Sequence, residues 1–216
     1  KDRWKSYVKD LAVQASEPSL INSVGCRTRD DLVAAGFRTV SDVAAANEDV
    51  LAGIKGIADV AARKISTSAI ALTQDDVVSR GPIKQPLQGT TQVFIDLEGS
   101  SPALMDDGEE NGVTNYLIGN VIRRTGFQNR FVPFFANSPE KERANLVQFL
   151  EWALDLPNPI FYHWHSYEAT HLRTMSERYG IDSDLANNVL NRLEDLEPLV
   201  VKAFAFPTHG EGLKPI

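Results

Sequence analysis

The run Val93-Phe94-Ile95-Asp96-Leu97-Glu98-Gly99 closes a hydrophobic stretch with two carboxylates two positions apart. Apolar residues at 93–95 and 97 predict a buried β-strand over 93–98, and alternation in a strand puts residues i and i+2 on one face, so Asp96 and Glu98 project together. Burying both beside such neighbours is costly unless something positive sits between them, and an oxygen-preferring divalent cation suits that spacing. A third acid, Glu168, lies in Phe161-Tyr162-His163-Trp164-His165-Ser166-Tyr167-Glu168-Ala169-Thr170-His171-Leu172, in the first turn of a predicted helix that follows a predicted strand. If that strand neighbours the first, Glu168 reaches the same point. Three like charges at one point demand raised pKa values or bound Mg²⁺ or Mn²⁺.

Positioning these acids requires a sheet. Strands are predicted over 93–98, 114–122 and 128–135, with Arg123-Arg124-Thr125-Gly126 as a hairpin-like turn, giving an antiparallel meander. A helix over Pro139–Leu156, a buried strand over Pro159–His163 and a helix from Ser166 to Tyr179 complete a β-β-β-α-β-α order. That order implies a mixed sheet whose fourth strand returns parallel to the first. Residues 1–78 read instead as short helices: Thr28 as an N-cap before 29–35 with Gly36 at its end, Ser41 as an N-cap before 42–46, and a hairpin over 51–58 leading into a helix from Asp59 to Leu72. The stretch Arg80–Gln92, with two prolines and two glycines, reads as a linker. The expected class is α+β overall, with an all-α domain at 1–80, a linker at 81–92 and a mixed-sheet α/β domain at 93–216.

The chain has 216 residues, 43% hydrophobic and 24% charged, as soluble globular proteins do. Its apolar runs are too short for a membrane span, and Lys1-Asp2-Arg3-Trp4 has no signal-peptide core, so a cytoplasmic segment of a longer protein is expected. One cysteine, Cys26, excludes an internal disulfide or a cysteine-built metal site and reads as a small buried hydrophobe. The net charge of -7 is uneven: residues 1–80 carry 11 basic and 11 acidic groups, the remainder 11 basic and 18 acidic. Part of that acidity is Asp106, Asp107, Glu109 and Glu110, read as a solvated loop, and part is the candidate cation site.

A strand-end Asp-x-Glu, a three-strand meander and then His-x-x-x-(aromatic)-(acid)-x-x-x-Leu resemble the DEDD 3′-5′ exonucleases of the ribonuclease H-like fold. Asp96 and Glu98 match their first motif and Glu168 the acid of the second, with His163, Tyr167 and Leu172 at its flanking positions. With Asp195-Leu196 and Gly212-Leu213-Lys214, the chain is similar to the YprB-type ribonuclease H-like domain of predicted bacterial RecB-like nucleases. The resemblance implies two-metal phosphodiester hydrolysis with Mg²⁺ or Mn²⁺, one ion lowering the pKa of an attacking water and the other stabilising the leaving 3′ oxygen. Asp96 would bridge both ions, Glu98 and Glu168 would complete their shells, and Asp195 is a further candidate ligand. His163 and Tyr167 would shape the site, although His163 could equally be a core histidine bonded to backbone; Trp164 reads as core, His165 and His171 as surface or packing residues. The family usually carries Asp where Glu168 stands. Its third motif, an Asp with a nearby Tyr or His base, is expected after Leu213-Lys214, so this piece alone is expected to bind metal weakly and cleave poorly.

Leu51-Ala52-Gly53-Ile54-Lys55-Gly56-Ile57-Ala58 and the Ala-rich helix after it resemble a helix-hairpin-helix unit, with Ala58 where glycine is usual. Such units hold a DNA phosphate with backbone N–H groups, here implying Gly53, Lys55, Gly56, Arg63 and Lys64 as contacts. Ile21-Asn22-Ser23-Val24-Gly25 looks like a degenerate partner, which makes a tandem pair. Apolar-Gly turns also simply let two helices pack closely, and zero net charge over 1–80 opposes tight autonomous duplex binding. The expected partner is DNA, with RNA open, and relatives attach this region to an upstream RecB-like nuclease domain and sometimes a helicase. The rival expectation is an inactive DNA-binding or scaffold module of the same fold.

Overall fold

A computed structural model describes residues 2–100 and 114–209. The acidic loop with Asp106, Asp107, Glu109 and Glu110, and the Gly212-Leu213-Lys214 stretch, lie outside the described residues. The chain divides into two compact units, one comprising residues up to Lys84 together with Leu199 onward, the other Gln85–Pro198.

In the helical unit, α1 (Asp2–Gln14) and a 3-10 turn at Pro18–Leu20 precede α2 (Cys26–Ala34), α3 (Val40–Ala44), α4 (Glu48–Ala52) and α5 (Asp59–Gln74). Two expected caps fall elsewhere. The second helix starts at Cys26 with Gly25 extended at its N-cap, so Thr28 sits inside it and Cys26 is exposed rather than buried. The third is capped by Thr39, whose hydroxyl accepts from the Asp42 N–H at 3.1 Å while the Asp42 carboxylate accepts from the Thr39 N–H at 2.8 Å; that reciprocal box puts Ser41 within the helix. Ile21, Leu32, Val43, Leu51, Ile57 and Ile65 form its core.

Two turns in this unit repeat one geometry. Val24 N–H donates to the Ile21 carbonyl at 3.1 Å and Ile57 N–H to that of Ile54 at 3.0 Å; Arg29 N–H then donates to Gly25 at 2.9 Å and Ala62 N–H to Ala58 at 2.8 Å. Midway through each turn stands a left-handed residue, Ser23 at φ 73° and Gly56 at φ 91°.

The expected linker does not begin at Arg80. That residue is buried: its guanidinium donates to the hydroxyls of Thr67 and Ser68 and to the carbonyls of Val201 and Phe204, and its N–H donates to Ala203. Short strands β1 (Val78–Ser79) and β7 (Phe204–Ala205) pair antiparallel beside it. Residues from Leu199 to His209 therefore pack with the helical unit, a difference from the expected division at 93–216. A guanidinium has five donors to satisfy, and groups on α5 together with the carbonyls of Val201 and Phe204, distant in sequence, satisfy them here.

The second unit holds a five-stranded mixed sheet, built from β2 (Thr91–Ser100), β3 (Thr114–Arg123), β4 (Arg130–Phe135), β5 (Pro159–His163) and β6 (Leu193–Asp195) in the order β4-β3-β2-β5-β6. The first three form the expected antiparallel meander, and β5 pairs parallel with β2, as the element order predicts. Helices α6 (Glu142–Leu154, after a 3-10 turn at Pro139–Lys141), α7 (Tyr167–Arg178) and α8 (Ser183–Leu190) contribute Leu146, Phe149, Leu172 and Val189 to a core shared with Val93, Ile95, Leu97 and Phe161. Then α9 (Glu197–Ala203) follows β6.

No helix among the described residues is long and apolar enough to cross a membrane.

Candidate functional site

Alternation along β2 sends Val93, Ile95 and Leu97 into the core and Asp96 and Glu98 to the opposite, exposed face. The two acids do share a face, but solvent reaches both, so the expectation that burial forces a cation between them does not hold. Periodicity groups residues by face without saying which face the fold covers.

The buried acid is Glu168. At 5% exposure it stands in the first turn of α7, after a turn over 164–166 in which His165 takes a left-handed φ of 66°. Asp195, at the end of the neighbouring β6, holds that turn: its Oδ1 accepts from the backbone N–H groups of His165 and Glu197, each at 3.0 Å. His163 is 7% exposed and gives its Nδ1 proton to the His165 carbonyl at 2.6 Å. The Glu168 Oε2 lies 3.7 Å from that nitrogen, too far for a hydrogen bond, and is buried without a partner. Burial pushes the Glu168 carboxyl up to about 7, the charges of Asp96 and Asp195 add to the rise, and the backbone N–H groups of Glu168 and Leu97 only partly offset it.

Tyr167, 38% exposed, borders the same acids: burial raises its phenol, and so do the charges of Glu168, Glu98 and Asp96, and Tyr116 after them. Tyr116 reaches this side through a β-bulge. Leu117 opposes Glu98 and Asn115 opposes Gly99, which leaves Tyr116 unopposed. The extra residue turns it outward, edge-on to Phe135 with ring centroids 6.3 Å apart, while Asn115 points inward.

The sheet thus brings Asp96, Glu98, Glu168, Asp195, His163 and Tyr167 to one end of its strands. They share a neighbourhood but not a coordination sphere: among the described residues, no group of three or more His, Cys, Asp or Glu side chains is arranged to hold a metal ion. His165 is exposed, and Trp164 is half-buried rather than a full core residue.

Sequence reasoning missed Glu142. At 2% exposure its Oε1 accepts from the Asn115 N–H at 2.5 Å and the Asn115 side-chain amide at 3.3 Å, and its Oε2 from Arg178 at 3.3 Å and from the Tyr179 hydroxyl. Nothing in Glu140-Lys141-Glu142-Arg143 separates this buried acid from its solvated neighbours.

In the helical unit, Lys55 and Gly56 stand exposed on the second hairpin, with Gly53 closing α4 just before them. Arg63 is committed elsewhere, donating to the Arg80 carbonyl at 2.7 Å, and Lys64 is half-buried.

Residues 93–214, more than half of the chain, match the RNase H superfamily, and the chain belongs to that family. Membership points to nuclease-type chemistry on nucleic acid. Among solved structures the chain is similar to exonuclease I, crystallised in complex with the inhibitor BCBP, at 15% identity and a TM-score of 0.35 over 52% of this chain and 29% of that one. The chain thus spans less than a third of that protein's length. No curated protein matches the sequence.

Proposed function

We propose that this chain is part of a metal-dependent nuclease of the DEDD, YprB-like type, hydrolysing phosphodiester bonds of DNA in the 3′-5′ direction. One observation carries the reading: a buried carboxylate oxygen, Glu168 Oε2, has no hydrogen-bond partner at the strand end that also bears Asp96. An unpartnered buried oxygen among like charges is a costly arrangement that an oxygen-preferring cation relieves. The donor set fits Mg²⁺ or Mn²⁺, with Asp96, Glu98 and Glu168 to hold it and Asp195 beside them. As now arranged these side chains do not converge, so binding calls for side-chain rotation, and Asp96 and Glu98 stand on the exposed face of β2. When bound, such ions activate water and neutralise charge on the leaving oxygen. The chain's own groups do the rest: Glu168 must give up its proton, Asp195 fixes the turn from which Glu168 starts, and His163, tied to the His165 carbonyl, keeps that turn from opening.

The helical unit is assigned to nucleic-acid holding as a tandem helix-hairpin-helix. Its two repeated turns each open a helix whose first N–H groups have no intrahelical acceptor, the arrangement that suits a backbone phosphate. Lys55 supplies a nearby cation.

A second reading, an inactive binding or scaffold module, is favoured by the lack of a preassembled ligand group among the described residues. Calorimetry separates the two. In the whole protein that carries this chain, titration of Mn²⁺ should release heat that Asp96→Ala removes, and matched 3′-labelled DNA and RNA strands should show metal-dependent shortening of DNA. No heat in the wild type sinks the catalytic reading, and preferential RNA shortening moves the substrate to RNA.

A further inference from the structure

Glu142 lies behind the acidic end of the sheet, on the first turn of α6, and touches none of the acids. Its four hydrogen bonds tie the start of β3 to the end of α7. One link runs further. The Asn115 amide nitrogen, oriented by Glu142 Oε1, also faces His171 Nδ1 at 3.4 Å. The carboxylate calls for a donor, which fixes the amide with its nitrogen toward Glu142, leaves its oxygen buried without a hydrogen-bond partner and sets His171 Nδ1 as the acceptor. An imidazole that accepts at Nδ1 is neutral, and burial together with the Arg178 charge holds the His171 pKa below its ordinary value. The His171 ring lies against Tyr167 with centroids 4.0 Å apart and planes 32° from parallel, and Tyr167 remains 38% exposed beside the acids.

A tyrosine backed by a second ring, its orientation fixed from behind and part of it open to solvent, is a surface on which a base can stack. Base-aromatic stacking needs an unpaired base, so the contact selects a single-stranded end. We propose that Glu142 is a positioning residue for the acidic site: through Asn115 and His171 it holds the Tyr167 ring as a stacking surface for the terminal nucleobase of a single strand. The inference rests on the nuclease reading and specifies its substrate. Burying a carboxylate at this place costs desolvation, which its four donors offset; what the arrangement gains is a Tyr167 ring that does not rotate away when empty.

The test uses single-stranded DNA carrying 2-aminopurine as its 3′-terminal base, bound in Ca²⁺. Wild type should quench the fluorophore on binding. Tyr167→Ala should lose the quenching and weaken binding about tenfold, while Tyr167→Phe keeps both. Glu142→Gln should weaken binding about threefold, with partial loss of quenching, and should add nothing in the Tyr167→Ala background. A purely structural Glu142 would instead give additive losses, and additivity overturns the proposal. If Glu142→Gln fails to fold, His171→Gln replaces it, since it breaks the ring contact and leaves the Glu142 bonds to Arg178 and Tyr179; it should reproduce the threefold loss and the lack of additivity. Wild type that binds without quenching also overturns the proposal. Quenching with no metal-dependent cleavage would leave it standing and remove the catalytic reading; cleavage without quenching does the reverse.

Discussion

The acid end of the sheet and the paired turns of the helical unit treat polar groups in opposite ways. In the first, side chains carry the features that matter, and they are left in unfavourable states: Glu168 has an unpartnered oxygen and a raised pKa, and His165 a left-handed backbone. In the second, the backbone carries them, in two turns with the same hydrogen bonds within 0.1 Å. Unfavourable electrostatics retained at one place is what reactive sites show, whereas a repeated backbone shape that opens a helix with unbonded N–H groups suits a repeated ligand such as a phosphate chain. Chemistry in one unit and holding in the other is the division we propose.

Mutations can break that division or sharpen it. The largest expected effect is Asp96→Ala, which should cut metal-dependent cleavage roughly a thousandfold or more while binding of DNA to the helical unit persists; equal loss of both in cleavage and gel-shift assays would erase the distinction. Next is Glu168. An acid held above its ordinary range binds its proton more tightly folded than unfolded, so its contribution to stability is complete below pH 4.5 and is lost as pH rises through about 7. Glu168→Gln should therefore melt about 5 °C above wild type at pH 8 and level with it at pH 4. A pH-independent difference in calorimetric melting would show that Glu168 is not strained. Mn²⁺ should raise the melting temperature of wild type at pH 8 and leave that of Glu168→Gln nearly unchanged.

The paired turns give opposite signs. Gly56 has φ 91° and room for a methyl group, with Asp31 Oδ2 at 3.7 Å as nearest neighbour, so Gly56→Ala is strained by backbone alone and should cost about 1 kcal/mol. Ser23 already stands at φ 73° without being glycine, so Ser23→Gly should gain about 0.5 kcal/mol, both read by urea unfolding. Like signs would mean that the two turns are not equivalent. The smallest effect is Lys55→Ala, about twofold weaker DNA binding and a salt dependence shallower by about one unit of slope.

Much of this was legible along the chain. Pro159–His163 is a strand with the bounds expected, lying parallel to the first as the element order requires. The expected grouping of Asp96, Glu98 and Glu168 rests on a local motif, and the sheet carries all three, with Asp195, to one end of its strands. What stayed hidden is set by distant contacts. Arg80 reads as linker beside Gly81 and Pro82, yet carbonyls at 201 and 204 bury it. Glu142 reads as helix surface until Asn115, Arg178 and Tyr179 close over it. The open face of β2 is decided by which side the helices cover, and alternation is silent on that.

A sheet reads each strand two residues at a time, and the bulge at Tyr116 is a frameshift in that reading. Upstream and downstream of it, β3 follows two different phases, one that turns Asn115 inward to Glu142 and one that turns Ile118 into the core. Side chains on either side of the shift can change one by one, but the residue count between Asn115 and Ile118 sets the bulge: losing one residue would put the two on one inward face by plain alternation and leave no extra residue to carry a ring outward beside the acids. In that short stretch of β3, spacing is held more tightly than identity.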